Sequence, residues 1–291
     1  MDNIIVTGGA GFIGSNFIKK NIGRYNIINL DCLTYASNIE YLKDISKLKN
    51  YKFFKLNILD TKKVLKIIEK FKPKYIFNFA AESHVDNSIK KSDNFIYTNI
   101  LGTHSLLMAV LKNKKKLNNK FKFIQVSTDE VFGDIKKNHF SKETDKYNPS
   151  SPYSSTKASA DHLVTSWGRT YGINYNITYS SNNFGPNQNF EKFIPVIINR
   201  IIQNKKIPIY GDGMQKRNWI YVDDNTNGII KIAKYGKINN AYNIGSNNSL
   251  TNIELVKKII NILNKKFKYE KKIYNLIDFT TDRLGHDRNY S

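Results

Sequence analysis

The first 180 residues alternate between two kinds of segment, and that rhythm limits the fold more than any other feature of the chain. Short runs rich in Ile, Val, Phe and Tyr are each followed by apolar residues at helical spacing. "NIIVTGG" precedes "FIGSNFIKKNI", "NIINLD" precedes "SNIEYLKDISKL", and "YKFFKLNI" precedes "TKKVLKIIEKF". "KYIFNFAA" precedes a long helical pattern from about His84 to Lys112, "FKFIQVST" one from about Tyr153 to Tyr171, and "NYNITYS" reads as a sixth strand. Strands joined through helices form right-handed crossovers and a parallel sheet covered on both faces. The prediction is an α/β fold, a doubly wound parallel Rossmann-type sheet over residues 1–180.

After Ser180 the rhythm breaks at Pro186, Pro195, Pro208 and turns such as "YGDG", leaving one clear helix, "NIELVKKIINILNKKF". Residues 181–291 are expected to form a smaller C-terminal α/β lobe over the carboxyl edge of the sheet, where open α/β sheets bind ligands. No run of eighteen apolar residues reads as a membrane span. The start, "MDNIIVTGG", lacks the basic region of a signal peptide, so a cytoplasmic protein is expected. The single cysteine, Cys32, allows no intramolecular disulfide and no metal-ligand spacing. The net charge of +22 sits in tracts such as "KNKKKLNNK" and "NKKFKYEKK", which read as solvated surface. With no nucleic-acid motif beside them, neither nucleic acid nor membrane is an expected partner.

Chemistry enters at "TGGAGFIGS". Gly8, Gly11 and Gly14 lie between a strand and a helix. Glycines there let the backbone approach a pyrophosphate, which the helix N-terminus then meets with free amides. Asp31 ends the second strand and suits ribose hydroxyls. A carboxylate there repels a ribose 2′-phosphate, and no Lys or Arg directly follows it, so NAD is expected over NADP.

In "SSPYSSTKAS", Tyr153 and Lys157 are one helical turn apart. A lysine ammonium beside the phenol would favour phenolate, a base able to take an alcohol's proton as hydride leaves its carbon. Ser127 and Thr128 end the fifth strand, close enough to bind the same hydroxyl. This is the pattern of short-chain dehydrogenases/reductases, and the glycine spacing resembles their extended branch. Asp129 and Glu130 exceed what alcohol oxidation needs. Two carboxylates whose environments split their pKa values can remove one proton and donate another. Such a pair beside a bound NAD points to oxidation, then elimination, then reduction; the alternative reading of the two acids is a solvated loop.

Nearly the whole chain resembles the dTDP-glucose 4,6-dehydratases, through "TGGAGFIGSNF", "LDCLTYASN", "FAAESHVDNSI", "STDEVFG", "PSSPYSSTKASADHLV", "SNNFGPNQNFEKFIP", "PIYGDGMQKRNWIYVDD" and "DRLGHDRNYS". The resemblance implies a lyase of deoxysugar biosynthesis that makes dTDP-4-keto-6-deoxyglucose, with catalytic Thr128, Asp129, Glu130, Tyr153 and Lys157. It implies an NAD site of Gly8, Gly11, Phe12, Ile13, Gly14, Asp31, Cys32, Leu33, Thr34, Asn57, Ile58, Phe79, Ala80, Ala81, Glu82, Ser83, Thr98, Tyr153, Lys157 and Asn183. It implies a nucleotide-sugar site of Ser83, Thr128, Asn182, Lys192, Phe193, Pro208, Ile209, Tyr210, Arg217, Asn252, Asp282, Arg283, Leu284, Gly285 and His286. It also implies a homodimer joined through the two long helices. Arg217 and Arg283 suit a diphosphate, because a guanidinium binds it bidentately.

Three positions depart from the pattern. Asn57 stands where such chains carry an aspartate, Tyr179 where they carry an arginine, and further helices with a nucleotide-holding tyrosine are expected beyond Ser291. A UDP-glucose 4,6-dehydratase and a 4-epimerase are the nearest alternative readings. The paired acids argue against the epimerase and leave thymine against uracil to the resemblance. An NAD-binding protein without turnover is the reading from another class, and the full catalytic set argues against it.

Overall fold

Seven parallel strands form the frame of the computed structural model, which describes residues 1–135, 139–267 and 271–290. In chain order the first half runs β1 (Asn3–Thr7), α1 (Phe12–Asn21), β2 (Asn26–Asp31), a 3-10 turn (Ile39–Ile45), β3 (Tyr51–Lys55), α2 (Thr61–Phe71) and β4 (Tyr75–Asn78). It continues with α3 (Val85–Lys90), α4 (Asp93–Phe95), a π-helical turn (Ile96–Leu101), α5 (Gly102–Asn113), β5 (Lys122–Thr128), α6 (Pro152–Tyr171) and β6 (Tyr175–Ser180). Then come β7 (Asn182–Phe184), α7 (Phe193–Ile202), β8 (Ile207–Tyr210), β9 (Lys216–Tyr221), α8 (Val222–Tyr235) and β10 (Asn240–Ile244). The last elements are β11 (Ser249–Thr251), α9 (Asn252–Phe267), β12 (Ile277–Thr280) and β13 (Asn289–Tyr290).

The large sheet has the order β10-β6-β5-β4-β1-β2-β3, with every pair parallel. Its direction of growth reverses between β1 and β4, which opens a crevice at their carboxyl ends. Strand residues point alternately to opposite faces. Ile5 packs with Leu106, Val110 and Val164 on one side, while Ile4 and Val6 pack with Phe17, Ile18 and Ile229 on the other. Each such fully buried side chain contributes roughly 1.5–3 kcal/mol. A third cluster, including Ile197, Ile207, Ile209, Trp219, Val256 and Ile260, forms the core of the smaller lobe.

Four expectations need correction. The pattern from about His84 to Lys112 is not one helix: Lys91 is extended, and α5 follows a π-helical turn. "SNIEYLKDISKL" forms a 3-10 turn capped by the Asn38 side chain rather than an α-helix. The second half contains α7 and α8 besides α9. Pro195 sits in the first turn of α7, where a missing N–H costs nothing. The chain also returns across residue 180: α8 packs on α1, and β10 pairs with β6 in the large sheet. The lysine tract Asn264–Lys272 lies partly outside the described residues.

No described helix is long and apolar enough to cross a membrane. The start of α6 is fixed locally. Ser151 and Ser154 form a reciprocal capping box, Pro152 occupies the first turn, and Gly172 ends the helix at φ 63°. Tyr153 is thereby set in the first turn, beside the end of β5.

Candidate active site

A cleft of about 210 Å³ follows the crevice between β1 and β4. Gly8 turns the chain at φ +68°, and a Cβ there would lie 2.7 Å from the Ala80 amide nitrogen. A Cβ on Gly11 would meet the Gly8 carbonyl at 3.3 Å and no other atom within 4 Å, so the close approach it permits is toward the cleft. Helix α1 has no side-chain cap and no acid in its first turn, which leaves its N-terminal amides for an anion. Asp31 is fixed by its two oxygens, one accepting from Ala10 N at 2.9 Å and the other from Leu33 N at 2.8 Å. The cations lining this cleft are Lys157 and Lys192. Lys192 reaches Ser83 O at 2.8 Å, where this cleft joins a second one. These residues fit a dinucleotide without a 2′-phosphate.

The expected NAD residues line this cleft apart from two. Leu33 holds the turn after Asp31 at φ 58°. Asn183 lines the second cleft instead. Asn57 lines the first cleft with its side-chain oxygen accepting from Leu59 N at 3.0 Å.

At the end of β5 the chain turns sharply. The Thr128 hydroxyl accepts from Glu130 N at 3.3 Å and starts a 3-10 turn over Asp129–Phe132. Asp129 is 4% exposed, and its Oδ2 has no hydrogen-bond partner. Burial, reinforced by the neighbouring Glu130 charge, holds the Asp129 proton well above the usual carboxylate range. Burial also raises Glu130, but Arg283, Arg217 and Lys192 oppose it. Both acids are therefore raised, Asp129 well above the usual range and Glu130 against the opposition of three cations.

Tyr153 departs from expectation. Burial is the main cause pushing its phenol well above the ordinary value, and the Glu130 charge adds to it. The Lys157 Nζ donates to Val126 O at 2.7 Å. Burial lowers the lysine as well.

The second cleft, about 530 Å³, lies between the large sheet and the smaller lobe. Ser83, Thr128, Asn182, Lys192, Phe193, Pro208, Tyr210, Arg217, Asn252, Arg283 and His286 line it together with Glu130 and Tyr153. Four expected substrate residues do not. Ile209 is wholly buried in the smaller lobe's core, because alternate residues of β8 face opposite ways. Asp282 braces His286 at 2.6 Å and accepts from Gln215 at 3.0 Å. Leu284 faces solvent, and Gly285, at φ +59°, packs against Ser150.

Arg217 is no surface arginine. It is 4% exposed, donates to Asp287 O at 2.7 Å, and lies 3.9 Å from the Tyr290 ring centroid. Arg283 is half-buried and pairs with Asp86 at 3.5 Å. Tyr290 also lines the cleft and was not singled out by sequence; its motif "DRNYS" was visible, its position was not. His84 caps α3 by accepting from Asn87 N at 3.4 Å.

Residues 5–291 match the family model described as GDP-mannose 4,6 dehydratase. The chain is 42% identical over 304 aligned positions to a dTDP-glucose 4,6-dehydratase of Haemophilus influenzae, covering 100% of this chain and 89% of that one. It is 42% identical to dTDP-glucose 4,6-dehydratase 1 of Escherichia coli, covering 99% of this chain and 84% of that one. Among solved structures, a Bacillus anthracis dTDP-glucose 4,6-dehydratase in complex with NAD superposes with a TM-score of 0.89 at 40% identity, covering 100% of this chain and 87% of that one. A Thermotoga maritima UDP-glucose 4-epimerase superposes with a TM-score of 0.86 at 29% identity, covering 99% and 88%.

Proposed function

We propose, because this chain belongs to the dTDP-glucose 4,6-dehydratase family of extended short-chain dehydrogenases/reductases, that its two clefts divide one reaction between them. The reaction converts dTDP-glucose to dTDP-4-keto-6-deoxyglucose and water with NAD. The observation that carries this reading is the pair Asp129 and Glu130, adjacent in sequence at the end of β5, with Asp129 buried and Glu130 half-buried among Arg283, Arg217 and Lys192.

Gly8, Gly11, Asp31 and Lys157 would hold NAD, which when bound would take hydride from carbon 4 and return it at carbon 6. Tyr153 takes the proton of the 4-hydroxyl, and Thr128 hydrogen-bonds that same group. The Lys157 ammonium favours the phenolate, and the positive charge of an oxidised nicotinamide would add to it. A ketone at carbon 4 acidifies the hydrogen on carbon 5, which the Glu130 carboxylate removes. Asp129 gives its proton to the departing 6-hydroxyl, so water leaves rather than hydroxide. Glu130 then returns its proton to carbon 5. Carbon 4 is oxidised by two electrons and carbon 6 reduced by two. Arg217 and Arg283 offer guanidinium groups to the diphosphate and, with Lys192, oppose the rise that burial gives Glu130.

The test is product formation. Purified protein mixed with dTDP-glucose and, separately, UDP-glucose is expected to form 4-keto-6-deoxy sugar faster from the former. A faster rate with UDP-glucose reverses the choice of base, and no keto sugar from either removes the reading.

The active form is a homodimer joined through α5, α6 and the turn before α5. Ile96, Tyr97, Leu101 and Tyr171 are exposed on these segments, which supports an apolar face covered by a second copy. Light scattering should give twice the chain mass, and Leu101→Glu should give the monomer. A wild-type protein of single-chain mass would contradict it.

A further inference from the structure

Helix α6 carries a third ionisable group on the face that bears Tyr153 and Lys157. Asp161 follows Lys157 by four residues, as Lys157 follows Tyr153, so the three stand in a row one turn apart. Asp161 is 0% exposed. One of its oxygens accepts from the Ser127 hydroxyl, and the other has no hydrogen-bond partner. Ser127 lines both clefts. Lys157 is 4% exposed. A lone charge this deep is expelled or neutralised, whereas two opposite charges offset each other.

We propose that Asp161 is a positioning residue for proton transfer at Tyr153: its carboxylate balances the buried Lys157 ammonium and turns the Ser127 hydroxyl so that only its lone pairs face the clefts. The inference rests on the roles proposed above for Tyr153 and Lys157. Burial lowers Lys157, and Asp161 is the charged group that opposes this. In return, burial pushes Asp161 up to about 7 against the opposing influence of Lys157, Ser127 and Gln125. The other ionisable groups acting on one another here are the phenols of Tyr147 and Tyr179, which hydrogen-bond each other and are both pushed upward by burial and by the Asp161 charge. His162 packs on the Tyr147 ring. Lys157 is thus the one cation facing Asp161 among the described residues. With its hydrogen committed to Asp161, Ser127 can only accept from a substrate hydroxyl or a cofactor amide.

The test replaces charge while keeping shape. Asp161→Asn retains an acceptor for Ser127 and loses the counter-charge. Oxidation at carbon 4 is followed across pH in a single mix with dTDP-glucose, a step in which Asp129 takes no part. The alkaline limb should move down by about 1–3 pH units, the effect of one nearby opposite charge. KM should change by less than about twofold, since the substrate contacts remain. An alkaline limb at the wild-type position overturns the inference while leaving the function intact. Thermal melting gives an answer independent of turnover, including for a variant that folds poorly. In the Lys157→Met background, adding Asp161→Asn should leave the melting temperature unchanged or raise it, because the carboxylate no longer has a partner. A further fall in melting temperature overturns the counter-charge. A wild-type protein that never oxidises the sugar would sink the underlying reading instead, and the melting cycle would still decide the role of Asp161.

Discussion

Tyr153→Phe should lower turnover of dTDP-glucose by about 100- to 10,000-fold, the usual worth of a positioned general base. In the proposed reaction the phenol takes the 4-hydroxyl proton, and phenylalanine preserves the ring and its packing against Phe95. KM should change little, because the diphosphate and the base bind elsewhere. The structure sharpens the reason for this sensitivity. Burial, with the Glu130 charge adding to it, pushes the phenol well above its ordinary value, so positive charge in the neighbouring cleft would favour the base. Steady-state rates decide it, and a variant within about threefold of wild type would remove Tyr153 from the role.

Asp129→Asn and Glu130→Gln should each reduce turnover by about 100- to 10,000-fold as well, at a later step. Both amides are close in shape to the acids they replace. The pH dependence separates the two roles. Glu130 must be ionised, so elimination falls as pH drops below its raised pKa. Asp129 must be protonated, so elimination falls as pH rises through a pKa held well above the ordinary carboxylate. Asp129→Asn should abolish the alkaline limb of elimination, and Glu130→Gln the acidic one. Profiles of unchanged shape in the residual activity would contradict the assignment.

Much of this site was legible because its determinants are local. Gly8, Gly11 and Asp31 act within single βα turns, and the Ser151–Pro152 start of α6 places Tyr153 without help from distant residues. Other features depended on contacts the linear chain conceals. The spacing of Lys157 set it near Tyr153 but could not direct its Nζ to Val126 O. Tyr290 reaches Arg217 only through pairing of β13 with β9. Helix α8, with "VDDNTNG" in its first half, has weak propensity and is held by packing against α1 and the sheet. The single helix expected from His84 to Lys112 failed because Lys91 breaks the backbone within an otherwise periodic pattern.

The most direct test of the division of labour is a single turnover of Glu130→Gln with dTDP-glucose, quenched and read by the mass of the sugar. Oxidation should proceed through Tyr153 and stop there, so the sugar recovered from the enzyme should be 4-keto-glucose with its 6-hydroxyl intact. Recovery of 4-keto-6-deoxyglucose at the wild-type rate would contradict the account, because the carbon 5 proton would then be leaving without Glu130.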